Sequence, residues 1–260
     1  MLDVAAIIDA IVERPRTTAI LLDYDGSLAP IVDRPEDAVA FPGAIDALRR
    51  LVGPVGRVGL VSGRPVEFLA RRVPVPDLVL GGLYGMEMVV GGERRVSPLV
   101  LAYAPAVESA AAEADARLPD FVVERKAGLS VTLHWRMAPD RAADVLELAD
   151  ELARRHGLAQ WRTGFAVELR PPVAIDKGTA VNELTEGFAV AAFVGDDIGD
   201  LPAFDALASA QQAGRLSRAV RVGVQSPEMP EALPAAVDCL VDGPAGVVEL
   251  LDAVALRVMP

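Results

Sequence analysis

Leu21-Leu22-Asp23-Tyr24-Asp25-Gly26-Ser27-Leu28-Ala29-Pro30-Ile31 is the stretch whose reading decides how this 260-residue chain is organised. The apolar run Ala19 to Leu22 has the length and content of a buried parallel strand, and it ends abruptly in Asp23, Tyr24, Asp25 and Gly26. Acidic residues therefore stand where a strand leaves its sheet. In open α/β sheets that carboxyl edge is where ligands bind, and carboxylates at Asp23 and Asp25, alternate positions of an extended segment, can face one site. Asp23 would then attack a substrate while Asp25 exchanges protons. A strand that simply ends in an Asp-Gly turn accounts for the same residues, and the choice rests on what lies further along.

With 52% hydrophobic residues the chain can bury a large core, enough for one domain with an insertion or for two small domains. A formal net charge of -12 argues against nonspecific nucleic-acid binding but leaves room for a local cationic pocket that holds a phosphate. The single cysteine, Cys239, excludes an internal disulfide, and Met1 to Arg16 carries Asp3, Asp9 and Glu13 rather than a basic start and an apolar leader core. No apolar run approaches the ~18 residues needed to span a bilayer. The expectation is a cytoplasmic protein that partners neither membrane nor nucleic acid. Oligomeric state stays open, a monomer being compatible with every feature read. Of the 25 basic residues only Lys126 and Lys177 are lysines. An ammonium is a compact point charge that a planar guanidinium does not imitate, so each is a candidate for a task specific to its head group.

In chain order, Leu2 to Val12 reads as an amphipathic helix before the first strand, and Pro42-Gly43 opens a helix through Leu51. Val58 to Val61 is the next buried strand. It ends in Ser62-Gly63-Arg64-Pro65, which leaves a hydroxyl and free backbone N–H groups at the same edge as Asp23 and suits a phosphate oxygen; a plain strand-to-helix turn reads the same way. Leu78 to Leu80 is a third strand. Gly81 to Gly85 then leads to a hairpin, Met86 to Val90 and Arg94 to Val96, turned at Gly91-Gly92. After Pro172 the same grammar returns: Lys177 falls at a helix start near Thr179, and the strand Ala191 to Val194 runs into Gly195-Asp196-Asp197-Ile198-Gly199-Asp200. The carboxylates of Asp196, Asp197 and Asp200 at one strand end would repel one another unless a cation or hydrogen bonds held them. All-oxygen ligands favour Mg²⁺ over Zn²⁺, with a solvated acidic loop as the other account. Leu201 to Ala213 is helical, Arg221 to Val224 and Val237 to Val241 are the last strands, and Val247 to Leu256 closes the chain. Alternating strands and helices imply an α/β fold with a doubly wound parallel sheet, over residues 1–102 and 172–260.

Between them, 103–171 reads as a separate α+β layer, a helix-strand-strand unit repeated twice. Its strands alternate: Val131, Leu133 and Trp135 share one face, while Ser130, Thr132, His134 and Arg136 share the other. Val167 and Leu169 likewise oppose Glu168 and Arg170, and Glu124 and Lys126 lie on one side of theirs. One face is apolar and packs on helices. The other holds the mixture of carboxylate, imidazole, guanidinium and ammonium that binds a hydroxyl-covered ligand, or that simply faces water.

Asp23 with Asp25, Ser62, Lys177, and Asp196 with Asp200 occur in the order of the D-x-D, Ser/Thr, Lys and GD-x-x-x-D motifs, and the chain so resembles the haloacid dehalogenase superfamily of aspartate-nucleophile phosphatases. More closely, Asp23 to Leu28 with Pro30-Ile31, Ser62-Gly63-Arg64, Gly82 to Gly85, Glu124-Arg125-Lys126, Glu168-Leu169-Arg170-Pro171 and Gly195-Asp196-Asp197 resemble the signatures of the trehalose 6-phosphate phosphatase family. The resemblance covers nearly the whole chain. It implies a Rossmann-like core, a cap domain at 103–171, and Mg²⁺-dependent hydrolysis of a small sugar phosphate through an aspartyl phosphate. It implies Asp23 as nucleophile, Asp25 as acid and base, phosphate bound by Gly26, Ser62, Gly63 and Lys177, and metal held by Asp23, the Asp25 carbonyl and Asp196, with Asp197 and Asp200 in the inner or second shell. It further implies sugar contacts from Arg64, Glu124, Lys126, His134, Arg136 and Glu168. Two places depart from the family pattern: Gly164 stands where a lysine is usual, and Gly199-Asp200-Leu201-Pro202 replaces Thr-Asp-Glu-Asp. Another phosphorylated disaccharide or pseudosugar is therefore the alternative substrate. A phosphomutase and a non-catalytic sugar-phosphate-binding module complete the alternatives.

Overall fold

Strand β1 (Thr18–Leu22) is buried at all five positions, because its side chains feed two different cores. Ile20 and Leu22 join one apolar cluster, and Leu21, between them, joins another on the opposite face. The computed structural model describes residues 3–32, 35–226 and 229–259. The first helix, α1, runs Val4–Val12 with Asp3 as its N-cap; the expected start at Leu2 lies outside the described residues. After β1 come α2 (Ala44–Leu51), β2 (Arg57–Val61), α3 (Val66–Arg72), β3 (Val79–Gly82), β4 (Glu87–Val90) and β5 (Glu93–Val96).

The chain divides into two compact units, Met1–Arg95 with Ile175–Pro260, and Val96–Ala174. The inserted unit thus begins at Val96 and ends at Ala174, against the 103–171 read from sequence. Its elements are α4 (Pro98–Leu101), α5 (Ala104–Arg117), β6 (Val122–Lys126), β7 (Ser130–His134), α6 (Ala142–His156), β8 (Ala159–Thr163) and β9 (Ala166–Arg170). The chain then supplies α7 (Lys177–Leu184), β10 (Val190–Gly195), α8 (Leu201–Gln212), β11 (Arg218–Gln225), α9 (Leu233–Ala236), β12 (Cys239–Asp242) and α10 (Gly243–Val258). Neither α4 nor α9 is expected from periodicity, each being a single Pro-initiated turn. Strand β11 is longer than expected, since Arg218 and Arg221 interrupt the apolar run without interrupting the ladder with β10.

The large sheet has the order β12-β11-β10-β1-β2-β3-β4-β5. From β12 to β3 every pairing is parallel, and β4 turns antiparallel against β3. The chain leaves β1 toward β2 and returns on its other side as β10, so the strand order reverses between β1 and β10. That is the switch point at which open α/β sheets bind ligands. Side chains of α1, α2, α3 and α10 pack on one face and those of α7, α8 and α9 on the other.

The second unit is a four-stranded antiparallel sheet, β6-β7-β9-β8, with α5 and α6 against one face. Val131, Leu133, Val167 and Leu169 are fully buried against Val107, Ala110, Leu148 and Leu152. Among the described residues no helix is long and apolar enough to cross a membrane.

Candidate active site

At the switch point the β1–β10 ladder runs one residue past Leu22, the Asp23 N–H donating to the Val194 carbonyl at 2.8 Å. This fixes Asp23 at the sheet edge with 4% exposure. The chain then folds tightly back. The Tyr24 carbonyl accepts both the Leu28 and Ala29 N–H groups, and the Gly26 N–H donates to the Ala29 carbonyl at 2.7 Å. Tyr24 anchors the loop from below: its buried ring lies edge-on to Phe68 and its hydroxyl donates to the Ala38 carbonyl at 3.1 Å. Gly26 has φ +82°, and a Cβ there would stand 2.0 Å from Asp196 Oδ2. Only glycine lets this loop approach Asp196 so closely.

Strand β10 delivers Asp196, and the turn after it delivers Asp200. The Asp200 carboxylate accepts the N–H groups of Asp196 at 2.8 Å and Asp197 at 3.1 Å, and the Asp197 side chain accepts the Asp200 N–H in return. Lys177 begins α7, whose N-cap Asp176 accepts the Thr179 N–H at 2.8 Å while Thr179 reciprocates. A Cβ on Gly178 would meet the Pro202 carbonyl oxygen at 2.4 Å, so α7 and α8 come close enough to bring the lysine to the acids. Its ammonium lies 2.8 Å from Asp23 Oδ1 and 2.6 Å from Asp200 Oδ1, with 3% exposure.

Asp23, Asp196 and Asp200 are all buried and each offers a carboxylate oxygen within 4.8 Å of the others. Burial pushes the Asp23 carboxyl well above the usual range; Lys177 opposes this, and Asp200, Asp196 and Asp197 add to it. Asp196 is pushed up to about 7, chiefly by burial and then by Asp200 and Asp197, against Lys177 and a hydrogen bond from Ser27. Asp200 is raised by burial, with Lys177 pulling it down. Burial would lower Lys177, but Asp200, Asp23 and Asp197 outweigh it and hold the ammonium well above its ordinary value. One cation among three buried carboxylates leaves negative charge unbalanced. A hard divalent cation on these oxygens would balance it, so the donor set fits Mg²⁺.

Ser62 closes β2 with 1% exposure, and its Oγ accepts the Arg64 N–H at 3.3 Å. The turn it opens is clamped by the next loop, where Tyr84 N–H donates to the Ser62 carbonyl at 2.9 Å and Leu83 N–H to the Arg64 carbonyl at 3.0 Å. Leu83 and Tyr84 both have positive φ, 50° and 62°, and a Cβ on Gly63 would lie 2.8 Å from the Tyr84 hydroxyl. The clamp therefore holds unfavourable backbone in place to shape the Ser62-Gly63-Arg64 turn.

Two carboxylates lie apart from the trio; the group expected of Asp25 at a metal is its backbone carbonyl, and Asp197 is expected in the inner or second shell. The Asp25 carboxylate is outside the acidic trio: Arg64 holds it with two bonds of 2.7 Å, and the Arg64 guanidinium also lies 4.7 Å above the Phe68 ring. Arg64, expected on the sugar, is thus engaged with Asp25. The Asp197 carboxylate is exposed and caps the Asp200 turn. Ser27, which sequence reasoning passed over, donates to Asp196 Oδ1 at 3.1 Å. Its place right after Gly26 was the available signal.

In the second unit Glu168 is buried, accepting from Ser130 Oγ and facing the Lys126 ammonium at 3.4 Å. His134 Nε2 lies 3.0 Å from Glu124 Oε2, and Arg136 stacks 5.1 Å from the centre of Phe165. Glu124, Lys126, His134 and Glu168 therefore share one sheet face, as the alternation requires.

A doubly wound sheet with an aspartate ending its central strand, a buried lysine and a second acidic turn is the arrangement of the haloacid dehalogenase fold. A haloacid dehalogenase-like hydrolase from Bacteroides thetaiotaomicron has the fold at a TM-score of 0.59 and 18% identity, over 90% of this chain and 98% of that one. A trehalose-6-phosphate phosphatase related protein superposes at 0.77 with 23% identity, over 92% and 97%. The trehalose-phosphatase profile matches residues 21–232, and the chain belongs to that family. It is 33% identical over 201 residues to a trehalose-phosphate phosphatase of Mycobacterium marinum, covering 73% of this chain and 51% of that protein. An uncharacterized glycosyl hydrolase of Mycobacterium tuberculosis is 36% identical over 206 residues, 74% of this chain but 15% of the relative. The chain thus spans about half the length of the phosphatase and a small part of the other relative.

Proposed function

We propose that the chain hydrolyses a sugar phosphate, trehalose 6-phosphate being the substrate its family favours. The observation that carries this reading is the Lys177 ammonium held between Asp23 and Asp200 inside a buried acidic trio. A carboxylate at a strand end, with a fixed cation beside it, is positioned to attack an anionic phosphorus centre that it would otherwise repel.

In this reading an Asp23 oxygen forms a bond to phosphorus as the bond to the sugar oxygen breaks, and Asp25 gives that oxygen its proton. Asp25 then takes a proton from the water that attacks the aspartyl phosphate, which releases phosphate and restores Asp23. Ser62, Lys177 and the N–H groups around Gly26 and Gly63 orient the phosphoryl oxygens, and positioning with charge neutralisation is most of what a loose phosphoryl transition state needs. Mg²⁺, when held by Asp23, Asp196 and Asp200, would supply the remaining positive charge. The polar face of the second unit, through Glu124, Lys126, His134 and Glu168, reads the sugar hydroxyls.

A phosphate-release screen over mono- and disaccharide phosphates with Mg²⁺ tests the proposal. Trehalose 6-phosphate should lead the panel, EDTA should abolish release, and Asp23→Asn should lower it by several orders of magnitude with the fold intact. Turnover that survives Asp23→Asn would exclude the covalent route.

A further inference from the structure

The register of the second sheet sets four residues in one line. Glu124 pairs with Thr132, Thr132 with Glu168, and Glu168 with Trp161. Directly opposed residues share a face, and this is the face turned away from the Val131, Leu133, Val167 and Leu169 core. Three strand spacings of about 4.8 Å make the line roughly 14 Å long, enough for two sugar rings.

Two members of this line have no role so far. Thr132 is 3% exposed, yet its hydroxyl has no hydrogen-bond partner among the described residues. Buried hydroxyls are normally paired, and an unpaired one carries a desolvation cost that a ligand hydrogen bond would remove. Trp161 ends the line and is 42% exposed. The Arg170 guanidinium stacks 4.4 Å from its ring centre, which steadies the indole while leaving part of it open.

The charges show what such a line can bind. Each carboxylate has its own cationic or imidazole neighbour, Glu168 with Lys126 and Glu124 with His134. The further cation at the end of the line, Arg170, is stacked on the Trp161 ring. Carboxylates and a threonine hydroxyl suit uncharged hydroxyl groups, and an open indole suits the C–H face of a pyranose ring. We infer that Thr132 and Trp161 bind the sugar ring that does not carry the phosphate, a step that rests on the proposed sugar-phosphate phosphatase activity. They are specificity-determining residues, selecting a second glycosyl ring over a bare hexose phosphate.

The test compares trehalose 6-phosphate with glucose 6-phosphate, which lacks the second ring. In Trp161→Ala and Thr132→Val the ratio of kcat/KM for the disaccharide to that for the hexose should fall about tenfold, the size of one lost stacking or hydrogen-bond contact. Thr132→Val should meanwhile melt at or above the wild-type temperature, because it removes an unpaired hydroxyl rather than a bonded one. Binding gives a readout apart from turnover. The chain has 2 tryptophans and Trp135 is buried, so in an Asp23→Asn, Trp135→Phe background the emission reports Trp161. Trehalose titrated into it should shift or quench that emission.

If the wild type hydrolyses trehalose 6-phosphate but the variants leave the ratio unchanged, the inference falls while the proposed function stands. A lower melting temperature for Thr132→Val with equal losses on both substrates would make its hydroxyl structural and overturn its part. An emission unmoved by trehalose overturns the role of Trp161. Release from hexose phosphates but from no disaccharide phosphate overturns this inference and leaves the phosphatase, whereas release from no sugar phosphate at all fails the proposed function and takes this inference with it.

Discussion

Asp196 shows at the scale of one residue what a buried carboxylate among like charges does to stability. Its ordinary value is 3.8, and burial with the neighbouring Asp200 and Asp197 pushes it up to about 7 in the folded chain. Between those values the folded state keeps a proton that the unfolded state has released, so stability from this group is greatest at low pH and falls as pH rises toward 7. In metal-free protein, Asp196→Asn should therefore be more stable than wild type at pH 8, by on the order of 1 to 3 kcal/mol, and no more stable near pH 4. Urea denaturation in EDTA at the two pH values measures this. An equal gain at both would mean that the charge of Asp196 is not the cause. Asp23, Lys177, Asp196 and Asp200 were legible because each breaks an apolar strand or opens a helix, where a buried charge needs a reason. The Asp25–Arg64 pair was not legible, since nothing in a linear reading tells which way each side chain turns once the loop folds back on Tyr24.

At the scale of elements, Glu87 has the same lesson. A glutamate inside a short hairpin strand reads as solvent-facing, and the sequence offers no sign otherwise. In the fold, β4 pairs with β3, and Glu87 is buried with one oxygen accepting the Val66 N–H at 2.9 Å, at the first turn of α3. Its other oxygen meets Arg94 Nη2 at 2.6 Å. The residue thus caps α3 and ties down the far end of the Ser62-Gly63-Arg64 turn. Glu87→Ala would leave a helix N–H and a guanidinium without their acceptor, and should cost about 3 kcal/mol of unfolding free energy. Chemical denaturation checks this, and a loss below about 1 kcal/mol would show that water takes over the cap. The same variant should raise KM for the sugar phosphate as the turn loosens. Central strands were legible as apolar runs buried on both faces; edge strands and single-turn helices were not, because their residues are chosen by neighbours far away in sequence.

For the whole molecule, the residues proposed for the chemistry and those proposed for reading the sugar fall in separate units. Asp23, Lys177, Asp196 and Asp200 all lie in the doubly wound unit, while Glu124, Lys126, His134 and Glu168 lie in the inserted one. The change of sequence grammar near Tyr103 made the insertion visible, but its strand order was not, because hairpins β6-β7 and β8-β9 can meet along more than one edge. The observed β7–β9 pairing is what sets Thr132 beside Glu168 and gathers the polar residues of both hairpins into one row. If that row reads the sugar, removing one of its charges strips contacts that orient a large substrate and leaves the reacting carboxylates in place. Glu168→Ala and Lys126→Ala should then lower kcat/KM for trehalose 6-phosphate by roughly ten- to a thousandfold, the range for one or two lost charged hydrogen bonds. A small aryl phosphate makes few of those contacts, so p-nitrophenyl phosphate should lose much less. Because the two sets of residues lie in different units, combining Lys126→Ala with Asp196→Asn should multiply the separate losses on the disaccharide phosphate. Equal losses on both substrates, or a double variant no worse than its weaker parent, would mean that the row supports the fold or the chemistry and does not choose the sugar.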